Sequence, residues 1–171
     1  VAKFNSTPVS TATNLSLSII EDNTPPTGQM TVPVYETHTN SNTVLIATNA
    51  SDTESGVKQV DFYGWSANSW SNQEWILLGT DTSAPYTYSW NVTNIPDSSV
   101  FLSARLTDHA GNISSYIWNP DWTVVFLDRT PPLSFINGLS PVTTTTTFNV
   151  SWSGNDNITD GNSLVYDIRY R

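Results

Sequence analysis

The 171-residue sequence predicts an all-β protein, with one antiparallel sandwich of about 100 residues and part of a second. Three observations support this prediction. Apolar and polar residues alternate over short segments, no window shows a convincing 3.6-residue helical period, and one motif recurs at a fixed interval. The composition agrees, because Ser and Thr make up 46 residues and Asn 17, whereas Lys and Glu are scarce.

The recurring motif is Asp-x-Thr-Pro-Pro, found at residues 22–26 and again 106 positions later at residues 128–132. A diproline removes two amide donors and fixes φ, so each copy predicts a stiff joint between modules. We therefore divide the chain into an N-terminal strand segment (1–21), a complete sandwich (22–128) and a partial second module (129–171).

Seven strands are predicted between the two joints. They cover residues 29–32, 43–48, 57–63, 75–78, 86–90, 102–107 and 123–127. The first three contain β-branched or aromatic residues and end before Pro, Asn or Gly. The fourth and the seventh are short apolar runs, and the fifth and sixth alternate strictly. This alternation predicts six residues facing the core: Tyr86, Tyr88, Trp90, Leu102, Ala104 and Leu106.

The N-terminal segment carries Leu15, Leu17 and Ile19 on one face, separated by Ser. It precedes the first joint as residues 123–127 precede the second, so it is predicted to be a last strand without its own sheet. The partial second module contains only early strands. We therefore predict that copies of the chain associate head to tail by strand addition. The alternative is a longer tandem chain in which the missing strands follow covalently.

Three segments together resemble the bacterial immunoglobulin-like domains that form tandem repeats in large secreted and surface proteins. They read GTDTSAPYTYSW (79–90), VTNIPD (92–97) and ARLTDHAGN (104–112). The resemblance spans roughly residues 22–128 and implies an immunoglobulin-like sandwich that serves as a stalk, spacer or adhesin shaft. It implies an extracellular or cell-surface location in a prokaryote, which the absence of Cys also favours.

Charge and motifs exclude several classes of function. The net charge of -9 disfavours nucleic acid as a partner, and no apolar run is long enough for membrane insertion. The only histidines are His38 and His109, and no nucleophile motif accompanies them, so no catalytic residues and no cofactor are predicted. The acidic loops at Asp52 and Asp156 place oxygen ligands at short spacing, as calcium loops do, but Ile158 stands where the second loop needs a ligand. Ordinary polar loop chemistry is therefore favoured over a metal site.

Seven tryptophans suggest both packing and a binding surface. Trp75, Trp90 and Trp152 are predicted in the core. Trp65 and Trp70 lie in an insertion, residues 64–74, where they predict contact with a sugar or a partner, or packing onto their own sheet. The alternative function is therefore a spacer or carbohydrate-binding accessory module of a secreted hydrolase or adhesin.

Asn-x-Ser/Thr sequons predict covalent glycans on a surface protein. The seven asparagines are Asn5, Asn14, Asn49, Asn91, Asn112, Asn149 and Asn157. Asn49, Asn91 and Asn112 are favoured because each is expected beside a turn. The sequence thus predicts a non-enzymatic, glycosylated repeat of an extracellular filament or stalk, whose partners are copies of itself or adjacent modules.

Overall fold

The computed structural model describes residues 21–66, 74–118, 123–138, 144, 146–158 and 164–169. Within them the chain forms ten strands and no helix, which confirms the all-β class. The strands are β1 (Thr27–Val32), β2 (Thr37–Thr39), β3 (Thr43–Ser51), β4 (Val57–Trp65), β5 (Ile76–Asp81), β6 (Tyr86–Asn91), β7 (Ser98–Asp108), β8 (Thr123–Leu127), β9 (Leu133–Ile136) and β10 (Trp152–Asn155).

The first eight strands form the predicted immunoglobulin-like sandwich. One sheet has the order β1-β3-β6 and the other β2-β8-β7-β4-β5. The strand pairs are antiparallel, except that β2 and β8 run parallel. The prediction of seven strands missed β2, because its sequence, Thr-His-Thr, has no apolar alternation and only its pairing with the distant β8 makes it a strand.

The core lies between the two sheets. Its buried residues are Met30, Val44, Ile46, Val60, Phe62, Trp90, Val92, Val100, Leu102, Ala104, Leu106, Val125 and Leu127. The predicted inward positions of β7 and Trp90 of β6 are among them, and Tyr86 and Tyr88 pack against them partly buried. The predicted alternation is therefore confirmed in both strands.

A separate antiparallel pair, β9 with β10, repeats the pairing of β1 with β3. In the first pair Gly28 is opposite Ala50, and in the second Ser134 is opposite Gly154. The positions shift by 106 in the first strand and by 104 in the second, in agreement with the sequence repeat. The boundaries of the three predicted segments stay a prediction.

The apolar side chains of this second hairpin are exposed where their counterparts in the sandwich are buried. Ile136 is 66% exposed and its counterpart Met30 only 2%, while Val150 is 38% exposed and Ile46 is fully buried. Trp152 was predicted in the core and is 43% exposed. That prediction was wrong because no second sheet faces this hairpin within the described residues.

The predicted N-terminal strand, with Leu15, Leu17 and Ile19, lies outside the described residues. Within those residues, no helix is long and apolar enough to cross a membrane.

Candidate functional site

Three carboxylates from distant parts of the chain meet at one end of the sandwich. Ligand oxygens of Asp22, Asp52 and Asp108 lie within 4.8 Å of one another. Carboxylate oxygens are the ligands that Ca²⁺ prefers, so these residues could hold a divalent cation. The absence of a metal site, expected from the sequence, stays a prediction.

The same oxygens close two turns by accepting backbone hydrogen bonds. Asp52 Oδ1 accepts from the amide of Gly56 at 2.7 Å. Asp108 Oδ1 accepts from the amides of Gly111 and Asn112 at 2.6 and 2.8 Å, and Gly111 has a φ of 99°. The predicted turn role of the Asp-His-Ala-Gly-Asn segment is therefore confirmed.

Hydrogen bonds around Asp22, Asp52 and Asp108, called the acidic network below, also connect the first joint to the sandwich. The Asn112 amide donates from Nδ2 to the Asp22 carbonyl at 3.0 Å and to Asp108 Oδ2 at 2.8 Å. A hydrogen bond from the Ser55 hydroxyl lowers the pKa of Asp22, whereas sharing a hydrogen bond with Asp22 raises the pKa of Glu54. The joint is thus tied to two loops at this end of the module.

Both histidines make structural contacts. The backbone amide of His109 donates to the Gly56 carbonyl at 3.1 Å. The His38 ring stacks on Phe126 with centroids 4.5 Å apart, which joins the short β2 to β8.

At the other end of the sandwich, Asp97 lies in the loop between β6 and β7 and binds residues of the second joint. Its Oδ1 lies 3.3 Å from Arg129 Nε. Its Oδ2 accepts from the Thr130 amide at 3.1 Å, the Thr130 hydroxyl at 2.7 Å and Asn157 Nδ2 at 3.2 Å. These contacts, above all the Thr130 hydroxyl, lower the pKa of Asp97 to about 2.

The first residue of the second joint repeats the surroundings of the first. Asp128 corresponds to Asp22 and lies near Asp156, which corresponds to Asp52. Burial, followed by the charge of Asp156, raises the pKa of Asp128. The backbone amide of Asp128 donates to the Thr39 carbonyl at 3.0 Å. Each joint therefore begins with an aspartate packed against the acidic loop that follows it.

The aromatic residues near the insertion pack on the outer face of the five-stranded sheet. The Trp65 ring contacts Phe101 at a centroid distance of 5.5 Å and is partly buried, whereas Trp70 lies outside the described residues. Trp75 stacks on Tyr116 at 5.4 Å instead of entering the core, so the prediction for Trp75 was wrong. A sugar or partner contact at Trp65 and Trp70 stays a prediction.

Tyr116 is the centre of this outer cluster. Residues 113–117 pair with the C-terminal half of β7 through isolated bridges, which bring Tyr116 over the sheet. Its ring meets Tyr63 edge-on at 5.2 Å, and the Arg105 guanidinium lies 5.1 Å from its centroid. Sequence reasoning missed this cluster because the pairing of residues 113–117 has no local signal.

Comparison with known proteins identifies the sandwich. A family model described as bacterial Ig domain matches residues 26–104, from the first joint to the middle of β7. Residues 26–104 therefore match the bacterial Ig domain family, and the sandwich is called the Ig domain below.

Among solved structures, the chain is similar to fibronectin(III)-like modules of Clostridium thermocellum CbhA, at 24% identity and a TM-score of 0.45. The match covers 60% of this chain and 46% of that one, so the chain spans less than half of that structure's length. No curated protein matches it significantly. Bacterial Ig domains are typically non-catalytic parts of surface or secreted proteins.

Two sequons of the Ig domain have exposed asparagines on its three-stranded sheet. Asn49 lies within β3 rather than beside a turn, and its Oδ1 accepts from the Gln29 amide at 2.7 Å. Asn91 ends β6, and its Oδ1 accepts from the Thr93 amide at 2.9 Å. Glycans attach to the side-chain nitrogen, which these hydrogen bonds do not use.

The asparagine side chains of the other sequons differ in how accessible they are to solvent. Asn112 is partly buried, and its nitrogen donates to two acceptors in the acidic network. Asn157 is exposed, but its nitrogen donates to Asp97. Asn149 is exposed, whereas Asn5 and Asn14 lie outside the described residues.

The second hairpin carries an apolar groove of about 420 Å³. Its apolar lining consists of Phe135, Ile136, Val150, Trp152, Tyr166 and Ile168. In the described part of the chain, β10 pairs only with β9, so its other edge is open. In the Ig domain the corresponding edge of β3 is covered by β6. The hairpin can therefore accept a further strand with apolar side chains on one face.

Proposed function

We propose that this chain is a non-enzymatic structural repeat of an extracellular filament or surface stalk. Bacterial Ig modules are joined in tandem, and copies connect head to tail by β-strand complementation. The observation that supports this most is the second hairpin, which repeats the β1–β3 pairing and leaves core-equivalent residues exposed. An open edge beside an exposed apolar face favours recruitment of another strand.

The N-terminal segment has the sequence pattern of a suitable donor. Leu15, Leu17 and Ile19 alternate with Ser, as Tyr86, Tyr88 and Trp90 alternate with Thr and Ser in β6. In the Ig domain β6 places these apolar residues opposite the inward positions of β3. We propose that residues 1–21 of one copy supply a strand to the second hairpin of the preceding copy.

Composition supports the location and the partners in this proposal. The chain has no Cys and 15 acidic against 6 basic residues, which suits a soluble prokaryotic surface protein without disulfides. The partners are copies of the chain or adjacent Ig modules. Because the contact is head to tail, it need not close on itself and can build a linear fibre.

Deleting residues 1–21 is expected to abolish fibres and leave the Ig domain folded. The reason is that the donor strand is lost, whereas the core residues that the structure describes lie within residues 30–127. Negative-stain electron microscopy measures the fibres, and circular dichroism with thermal unfolding measures the fold.

Point variants test whether the apolar face of the N-terminal segment, and not only its presence, is needed for fibres. Replacing Leu15, Leu17 and Ile19 by Ser removes the apolar face and should also prevent fibres. The matched variant Ser16→Ala with Ser18→Ala changes the opposite face and should assemble as the parent does. Fibres that persist after the deletion would refute strand donation by this segment.

Glycans are expected at Asn49 and Asn91, whose side chains are exposed, but not at Asn112, whose nitrogen lies in the acidic network. When residues 1–171 are produced in the native host, their intact mass should exceed that of the 18.8 kDa polypeptide. Asn49→Gln and Asn91→Gln should each lower that mass, and Asn112→Gln should not. A native mass equal to that of the bare polypeptide would contradict glycosylation.

A further inference from the structure

The loop between β6 and β7 binds the second joint through the guanidinium group of Arg129. Nη1 donates to the Val92 carbonyl at 2.9 Å, and Nη2 donates to the Ile95 carbonyl. Nε faces the Asp97 carboxylate. One side chain of the joint therefore contacts three residues of a single loop of the Ig domain.

The same loop also contacts the second module itself. Asp97 accepts hydrogen bonds from Thr130 in the joint and from Asn157, which follows β10. The joint and the first loop of the second module thus converge on one carboxylate. This convergence constrains both the path of the joint and the rotation of the module after it.

The ion pair is shielded from solvent, which distinguishes it from an ordinary surface pair. The Arg129 and Asp97 side chains are 21% and 12% exposed. Charge-assisted hydrogen bonds in such surroundings are stronger and more directional than exposed ion pairs, whose partners exchange freely with water. The low pKa of Asp97 keeps its carboxylate ionised at neutral pH.

We propose that residues 92–97 form a docking surface for the following Ig module, and that Asp97 with Arg129 holds consecutive modules in one orientation. Pro131 and Pro132 restrict the chain directly after these anchors. The contact depends on Arg129 and not on the repeated motif alone, because Asn23 stands at this position in the first joint and has no guanidinium group. The expected partner is thus a module whose joint carries arginine at this place.

The proposal is tested by a distance measurement across the joint in the full chain. Because the chain has no Cys, Lys58→Cys in β4 and Ser134→Cys in β9 introduce two unique and exposed spin-label sites. Double electron–electron resonance should give one narrow distance distribution. Arg129→Ala and Asp97→Ala should broaden it roughly twofold or more, since modules without a specific interface move relative to each other.

Arg169→Ala is the matched control. It removes another Arg–Asp pair, Arg169 with Asp167, whose side chains are 86% and 71% exposed and which does not contact the joint. Its distance distribution should stay narrow. Arg129→Lys keeps the charge but loses the forked donors, so an intermediate width is expected, and circular dichroism checks that each variant is folded.

A distribution that is broad in the parent, or equally narrow in Arg129→Ala, Asp97→Ala and Arg129→Lys, would overturn the docking surface. The inference rests on the proposed tandem array for its biological role, but the joint is measured within a single chain. If the distance distribution contradicts the docking surface, fibres can still form by strand donation. If fibres do not form, the distance distribution within a single chain should still be narrow.

Discussion

Leu106→Ala should lower the free energy of unfolding by about 2–5 kcal/mol, the range for truncation of a buried leucine that leaves a cavity. Leu106 is fully buried in β7, a central strand of the five-stranded sheet. Its side chain reaches across the core, because Cδ1 would lie 3.1 Å from a Cβ placed on Gly28 of the opposite sheet. Urea unfolding of the full chain measures the loss.

The neighbouring residue provides the control. Arg105 points to the outer face, where its guanidinium lies over Tyr116 and its Nε donates to the Ser114 carbonyl at 3.4 Å. Arg105→Ala should cost about 0.5–1 kcal/mol, the value for an exposed cation–π contact. Equal and small losses at positions 105 and 106 would contradict the assignment of the two faces of β7.

Gly28→Ala should destabilise the Ig domain by about 1–3 kcal/mol, the usual cost of overpacking. A Cβ on Gly28 would lie 2.2 Å from the backbone oxygen of Asn49 and 3.2 Å from Cα of Ala50. Because the obstacle is backbone, β1 must move away from β3 to admit the methyl group. Thermal and urea unfolding should both show the loss.

Gly138→Ala tests the same substitution where there is space. Among the described residues, no atom lies within 4 Å of a Cβ at this position, so the effect should stay within about 0.5 kcal/mol. Similar losses for Gly28→Ala and Gly138→Ala would show that close approach of the strands is not the cause.

The second hairpin supports the same interpretation of Gly28. There the glycine is on the other strand, Gly154, and faces Ser134. A Cβ on Gly154 would lie 2.9 Å from the Leu133 carbonyl oxygen. In each module one residue of this pair is glycine, which indicates that the two strands approach too closely for a Cβ on both.

The sequence predicted the local turns of the candidate site but not its contacts between distant residues. The sequence indicated the turn at Asp108, since a turn depends on residues close together in the chain, whereas the stiffness of the two joints stays a prediction. It did not indicate that Asp97 would meet Arg129, because no local pattern relates a loop to a joint more than thirty positions later. The sequons were readable, but whether the nitrogen of Asn112 is accessible depends on its contact with Asp22.

The sequence by itself determined the all-β class and the inward faces of β6 and β7, because alternation acts over a few neighbouring residues. Tertiary structure alone decided that β2 pairs in parallel with β8, that Trp75 stacks outside the core and that Trp152 is exposed. These features depend on which distant segments meet. A tryptophan in a strand is buried only where a second sheet covers it, and strand alternation does not encode that partner.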